Sequence, residues 1–473
     1  LTPLSITSVE FFTFTAATLI IYYLLPRKAQ NILLLAASYV FYITWDWRFS
    51  LALAALTLIN FFIAPRLKDQ PKLYWIGIAA NLAFLLVFKY TDTLWAQLIA
   101  IFRLSLPAEL SIFLPIGLSF YTLQAISYLT DVSRKQIEPS ADLIDFALYL
   151  AYFPKMLAGP IERARTFLPQ LAAPRVVDND KLSRSVTLIV IGLVRKLVIA
   201  DVLSAVSSRA VFANPEKFGA PDLLFWWIVY AFIIYNDFAG YTSIIRGISG
   251  LFGIELMQNF NQPFFSTGFI DFWNRWHISL SAWLRDYIYL PVSRALLRRN
   301  PSGKYLPNLI IPPLTTMLVS GLWHGISPHF LLWGALSGSI QAAERVNSSR
   351  KPVTAGKQSV SPLRSAINWF FFFSVSILLA VPFLYGISET FAFWANLVKW
   401  TMPKTLGGLS ALRPILGMIL SLTIDTFQHR AKDEVIFLKW HLVLRALLLA
   451  LSIIFIFLAT RADPGAPFIY QEF

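Results

Sequence analysis

The sequence predicts an all-α, polytopic integral membrane protein, and three observations carry that prediction. Of 473 residues, 56% are hydrophobic and 14% charged, whereas a soluble protein carries about 25% charged residues. A soluble fold of this length cannot hide that much apolar surface, and a disordered chain needs the opposite composition. Apolar runs near spanning length recur, closed by Pro, Arg or Lys, and about nine to twelve crossings fit at roughly 20 residues each plus connections. The net charge of +14, from 40 basic and 26 acidic residues, gathers in the connections, where basic residues set membrane orientation. No basic block interleaved with aromatics stands apart from the runs, so nucleic acid is not an expected partner. With no cysteine, disulfides, thiolate nucleophiles and Cys-ligated metals are excluded.

The first run, about Val9–Leu25, ends at Pro26, Arg27 and Lys28. It lacks a basic leader and a small-residue cleavage site, so it reads as a retained span and not a signal peptide. Runs at about Ile32–Trp45 and Phe49–Ala64 follow, joined by a tight Trp45-Asp46-Trp47-Arg48 turn. Leu73–Phe88 and Ile112–Leu129 bracket a shorter run, Leu94–Phe102, whose length suits a re-entrant or interfacial helix. Lys and Arg concentrate at Pro26–Lys28, Pro65–Lys72 and Asp131–Lys135. The positive-inside rule places these in the cytoplasm and the N-terminus outside.

Ala141–Leu157, Val186–Leu203 and Asp222–Phe238 are long enough to span or nearly so. Between Asn236 and Val292 hydropathy drops while aromatics and charges mix. Long runs return at Leu306–Trp323, Phe330–Ala342, Trp369–Leu384, Pro414–Ile424 and Leu442–Thr460, and Asn347–Ser365 has the polar composition of a solvated loop. No internal repeat marks the paired halves of a secondary transporter. The expectation is one membrane domain over residues 1–473.

Five histidines are candidates for chemistry. His429 sits in a charged stretch and reads as a solvated loop residue, and His441 as an interfacial anchor at the head of the last span. His324 closes an apolar run in Ser320-Gly321-Leu322-Trp323-His324-Gly325. An ionisable group within a span is costly and functional by default, and histidine both takes and gives protons near neutral pH. The same spacing also suits a histidine satisfied by a carbonyl in a helix contact. A second cluster runs from Asp271 to Tyr287. Trp273, Trp276, Leu280, Trp283, Leu284 and Tyr287 have the spacing of one aromatic helix face. Asp271, Arg275, Arg285 and Asp286 would each cost about 2.5–3.5 kcal/mol at a bilayer centre. This segment therefore lies at the interface or packs inside the protein beside water. A nucleophile elbow, a Walker A loop and a His-Glu-x-x-His motif are all missing from the sequence. No metal or bound cofactor is expected, and a buried histidine without such partners suits proton transfer.

At these residues the chain resembles the membrane-bound O-acyltransferase superfamily, in its bacterial alginate O-acetyltransferase and teichoic acid D-alanylation branch. The matching stretches are Gly117–Asp131, Tyr152–Glu162 (YFPKMLAGPIE), Tyr235–Gly240 (YNDFAG), Asn259–Pro291, Leu318–Ala335 and the closing Pro467–Phe473; the core lies at about 110–340. The sequence departs from the branch at Val292–Asn300, where a Gly-Gly-Asn turn is usual, and at Ile244, where an acidic residue is common. The resemblance implies a ring of tilted helices around a central tunnel, with re-entrant or interfacial helices, in the bacterial inner membrane. It implies transfer of a small acyl group, acetyl first, from a cytoplasmic thioester (acetyl-CoA or an acyl carrier protein) to a hydroxyl of an exocytoplasmic polysaccharide or envelope polymer. A periplasmic SGNH-type transferase or a small membrane peptide is the implied relay. The family's general base falls on His324 and its second essential position on His277, with Asp271, Arg275, Trp276, Arg285, Asp286, Trp323 and Ser320 lining the substrate path. The alternatives are direct acylation of a protein or lipid hydroxyl, or a transporter or channel.

Overall fold

The computed structural model describes residues 3–103, 106, 107, 110, 112–175, 178–350, 361–407 and 409–462. The closing stretch Pro467–Phe473 and the centre of the expected Asn347–Ser365 loop lie outside the described residues. Every element among those residues is a helix. Among the described residues, seven helices are long and apolar enough to cross a membrane: Trp47–Leu67, Leu73–Phe102, Ala220–Leu251, Leu306–His324, Leu363–Leu384, Ser410–Ala431 and Leu442–Thr460. The protein is thus a multi-pass membrane protein.

Local chemistry sets many helix boundaries. Ser8 Oγ accepts the Phe11 N–H at 3.1 Å to open Val9–Tyr23, and Pro26 separates that helix from Arg27–Ile43. Asp46 accepts the Arg48 N–H at 2.8 Å and opens Trp47–Ile63. Asp142 does the same for Ile144 at Leu143–Ala151. Each side chain satisfies donors that the first turn leaves without partners.

Several expectations need correction. Leu94–Phe102 is not a separate re-entrant piece. The backbone is helical without a break from Leu73 to Phe102, through a π-helical turn at Leu86–Tyr90. The polar run Lys89–Thr93 interrupts hydropathy, not the backbone. Ala141–Leu157 contains only a nine-residue helix, Leu143–Ala151, too short to span, followed by buried turns through Pro154 and Pro160. Asp222–Phe238 is the first half of a 32-residue helix, Ala220–Leu251. Helices Pro328–Ser349 and Pro362–Leu384 take up both ends of the expected Asn347–Ser365 loop. His429 lies in the last turn of Leu409–Ala431, its ring stacked on Phe265 at 4.8 Å.

The helices sort into two compact units. The first comprises the described residues up to Leu193 with Tyr241–Gln258. At its centre is Leu118–Ser133, buried at nearly every position. Two of its spans are pinned by a reciprocal amide pair, Asn60 Nδ2 to Asn81 Oδ1 at 3.1 Å and Asn81 Nδ2 to Asn60 Oδ1 at 2.8 Å. Such bonds join helices where lipid supplies no hydrophobic drive. Buried Lys155 donates to the Tyr149 carbonyl at 2.6 Å and to Gln124 Oε1. Glu162 Oε1 accepts the Met257 N–H at 2.7 Å. Burial pulls the Lys155 ammonium down and pushes the Glu162 carboxyl up.

The second unit comprises Val194–Gly240 with the described residues from Asn259 onward. Its buried cations Arg195 and Lys196 are paired: Arg195 with Asp425, and Lys196 with both Asp201 at 2.8 Å and Asp237 at 2.7 Å. Tyr235 OH donates to Asp425 at 3.0 Å and Arg195 to Asn236 at 3.0 Å. A buried charge survives only with partners of this kind. The hairpin of Leu306–His324 and Pro328–Ser349 closes tightly because its contact is made at glycines. A Cβ on Gly321 would sit 2.4 Å from the Phe330 carbonyl oxygen, and one on Gly334 2.5 Å from that of Met317.

Candidate active site

His324 is the last residue of Leu306–His324 and is buried. Rings enclose its imidazole: Phe383 at 4.8 Å, Trp323 at 4.8 Å, Trp333 at 5.5 Å and Phe330 at 6.2 Å. Trp333 and Phe330 come from the partner helix of the hairpin, and Phe383 from Pro362–Leu384. Gly325 makes the turn possible, since a Cβ there would strike the Phe330 ring at 2.5 Å. Ser320 lies four residues before His324, on the same helix face. Its hydroxyl is buried and makes no hydrogen bond among the described residues. The neighbouring His329 is committed to structure, with Nδ1 2.9 Å from the Pro382 carbonyl oxygen.

The 271–287 cluster is not one helix with one aromatic face. Phe269–Trp273 and Ile278–Leu284 are separate, and Arg285–Tyr289 is π-helical. The break falls at His277, whose φ of 43° and ψ of 55° are left-handed, a region that non-glycine residues enter at a cost of about 1–3 kcal/mol. Asn259, eighteen residues upstream, holds the turn there. Its carbonyl accepts the Ile278 N–H at 2.9 Å, its Oδ1 accepts the Ser279 N–H at 3.1 Å, and the same Oδ1 lies 3.2 Å from His277 Nδ1. The Ser279 N–H fixes the Asn259 atom as oxygen, so Nδ1 carries the imidazole proton and Nε2 is the acceptor nitrogen. Burial lowers the His277 pKa to about 3, so the ring stays neutral across physiological pH. The Asn259 amide nitrogen is buried and has no hydrogen-bond partner among the described residues. Asn259 opened a matching stretch in the sequence, but nothing local marked it as a clamp.

The remaining predicted residues surround this turn unevenly. Asp271 accepts from Arg275 Nε at 2.8 Å, an i,i+4 pair that spans the end of the short helix, and both are partly exposed. Trp276 packs on Phe260 at 5.1 Å and Phe272 at 5.6 Å. Arg285 and Asp286 pair with each other at 3.0 Å, with Arg285 59% exposed, so the pair belongs to a wetter surface. Glu344 caps Phe269–Trp273 by accepting from Phe269 at 2.8 Å and Ile270 at 3.1 Å. An unbroken series of ring contacts links the two histidines within this unit: His324–Trp333, Trp333–Trp273, Trp273–Phe272, Phe272–Trp276, Trp276–Phe260, Phe260–Phe238 and Phe238–His277. Among the described residues no three His, Asp or Glu side chains gather as metal ligands.

The arrangement offers two imidazoles in apolar surroundings, a buried hydroxyl and a buried amide N–H, the equipment of proton transfer without a metal. The chain is similar to known proteins along most of its length. The model of the membrane-bound O-acyltransferase family matches residues 32–386. A probable alginate O-acetylase of Azotobacter vinelandii is 36% identical over 77% of this chain and 72% of its own length. The probable alginate O-acetylase of Pseudomonas putida is 31% identical over 98% of this chain and 99% of its own. A peptidoglycan O-acetyltransferase of Helicobacter pylori is 30% identical over 71% of this chain and 69% of its own.

Proposed function

The chain belongs to the membrane-bound O-acyltransferase family and is an O-acyltransferase, and from that premise we propose that it acetylates an exocytoplasmic polysaccharide of the alginate type. The alginate O-acetylases it resembles support the acyl group and the polymer; the peptidoglycan enzyme supports a saccharide hydroxyl outside the cytoplasm. Acetyl enters as a thioester on the cytoplasmic side of the inner membrane, where Pro26–Lys28 and Pro65–Lys72 lie, and the N-terminus faces the periplasm. A periplasmic transferase or a small membrane peptide relays the group to the polymer.

The burial of His324 among four rings at the end of a span is the observation that carries this reading. The hydroxyl oxygen attacks the thioester carbonyl while His324 takes its proton. The tetrahedral oxyanion then collapses, the C–S bond breaks, and the thiolate leaves with the proton from His324. General-base catalysis of this kind contributes about 10²–10⁴-fold. His277 is the orienting group. Neutral, and with Nε2 as acceptor, it receives a hydrogen bond from a second, non-reacting hydroxyl of the acceptor, while the Asn259 amide N–H is a donor beside it.

The test is turnover of radiolabelled acetyl-CoA by purified protein in nanodiscs, followed as thioester loss and label transfer. Wild type should turn over, His324→Ala should lose at least about 10²-fold, and His277→Ala should lose less. Near-wild-type turnover by folded His324→Ala would remove the base assignment. A transporter would move substrate without consuming the thioester. Label reaching the polymer without any added partner would remove the relay.

A further inference from the structure

The first unit has a polar feature of its own, formed by none of the candidate active-site residues. The start of the Asn179–Leu193 helix crosses the end of Ala220–Leu251 at glycines. A Cβ on Gly247 would lie 2.5 Å from the Ser185 carbonyl oxygen, and one on Gly250 2.3 Å from Ser185 Oγ. Beside this crossing is a pocket of about 70 Å³, room for about five waters or one phosphate group. Lys181, Arg184 and Arg246 line it against a single carboxylate, Glu255. The cations are of two kinds. Lys181 and Arg184 are exposed at the mouth, while Arg246 is half-buried, with Nε donating to the Leu256 carbonyl at 3.2 Å. Buried Glu162 steadies the same wall by accepting the Met257 N–H at 2.7 Å, and the Arg246 charge in turn favours its carboxylate. The Tyr152–Glu162 motif thus buttresses this pocket.

Hydrogen bonds fix which end of the unit this is. Tyr22 and Tyr23 donate to the carbonyls of Phe252 at 2.8 Å and Leu251 at 2.6 Å. Those tyrosines close the first helix, directly before Pro26, Arg27 and Lys28. The pocket therefore shares the basic, cytoplasmic end of the unit. We propose that it is a phosphate-binding site at the cytoplasmic surface, which takes the phosphate of an anionic phospholipid headgroup or of a nucleotide-bearing thioester donor. Basic pockets between spanning helices on this face hold lipid phosphates. Two guanidinium residues and a lysine lining one concavity supply the kind of donors that such an anion needs.

The test compares full-length wild type with Lys181→Gln/Arg184→Gln, both exposed positions, and with a control double, Lys68→Gln/Lys72→Gln, on the other exposed basic connection. In neutral detergent, phosphatidylglycerol is titrated and read as a rise in the thermal midpoint. If lipid is the occupant, half-saturation moves to about tenfold higher lipid in the pocket double and less than twofold in the control. In the second arm, KM is measured for acetyl-CoA and for its 3′-dephospho form. If the donor is the occupant, the pocket double alone raises KM for acetyl-CoA several-fold and erases the preference for the 3′-phosphate. Either arm supports a phosphate site and names its source. A pocket double that matches wild type, or the control double, in both arms overturns it. The lipid arm involves no turnover, so its failure is separate from any failure of the acyl-transfer reading.

Discussion

Replacing Asn259 by alanine tests whether the His277 turn is an active-site device or only a piece of fold. The substitution deletes Oδ1, which accepts from the Ser279 N–H at 3.1 Å and faces His277 Nδ1 at 3.2 Å. Ser279 is fully buried, so its N–H loses its partner at a cost of about 1–3 kcal/mol of stability. The bond that selects the imidazole tautomer is worth about 0.5–1.5 kcal/mol, which is about two- to twelvefold in rate if Nε2 must remain the acceptor. The assay is kcat/KM for acetyl transfer in nanodiscs from pH 6 to 9, with thermal unfolding in parallel. Asn259→Asp is the informative companion. A carboxylate against Nδ1 favours the imidazolium, so the acid limb of the profile should move up toward neutrality, where wild type shows none from His277. If Asn259→Ala unfolds earlier yet turns over like wild type, and Asn259→Asp leaves the pH profile unmoved, Asn259 serves the fold alone and the orienting role of His277 fails with it.

Three other outcomes are expected. His277 stays neutral in the folded protein down to about pH 3, while an unfolded histidine binds its proton near 6.5; it therefore contributes no pH dependence above 6.5, and stability falls by about 1.4 kcal/mol per unit as pH drops below that. The stability difference between wild type and His277→Gln should accordingly shift by about 2 kcal/mol against wild type between pH 6.5 and 5, measured by unfolding in detergent; a constant difference refutes a neutral His277. Asp425→Asn leaves the buried Arg195 guanidinium without its carboxylate and should cost about 3–5 kcal/mol, read as a lowered midpoint, with Glu in place of Asp costing less. Gly321→Ala places a Cβ 2.4 Å from the Phe330 carbonyl oxygen, so the hairpin must open; activity should fall with stability, whereas Leu322→Ala on the exposed face should change little.

What could be read from the sequence, and what could not, divides by the range of the forces involved. Hydropathy is local, so runs such as Leu306–Trp323 and Leu442–Thr460 match helices almost residue for residue. His324 stood out because an ionisable group at the end of such a run is conspicuous by itself. The polar interruption Lys89–Thr93 misled the same reasoning, because a helix tolerates a polar turn that a hydropathy window does not. The aromatic spacing from Trp273 to Tyr287 misled it more, because i,i+3,i+4 periodicity assumes an unbroken helix.

By composition and local pattern alone, the sequence determined an all-α membrane protein, the position of most spans, and His324 as a histidine worth testing; His277 came from the family resemblance. Only the tertiary structure decided how those histidines are held. The break at His277 is set by Asn259 eighteen residues away, the rings around His324 come from three helices, and the carboxylate that makes Arg195 tolerable lies 230 residues distant. A hydrogen bond or an ion pair acts across 3 Å of space whatever the separation along the chain. No window of sequence contains both of its ends.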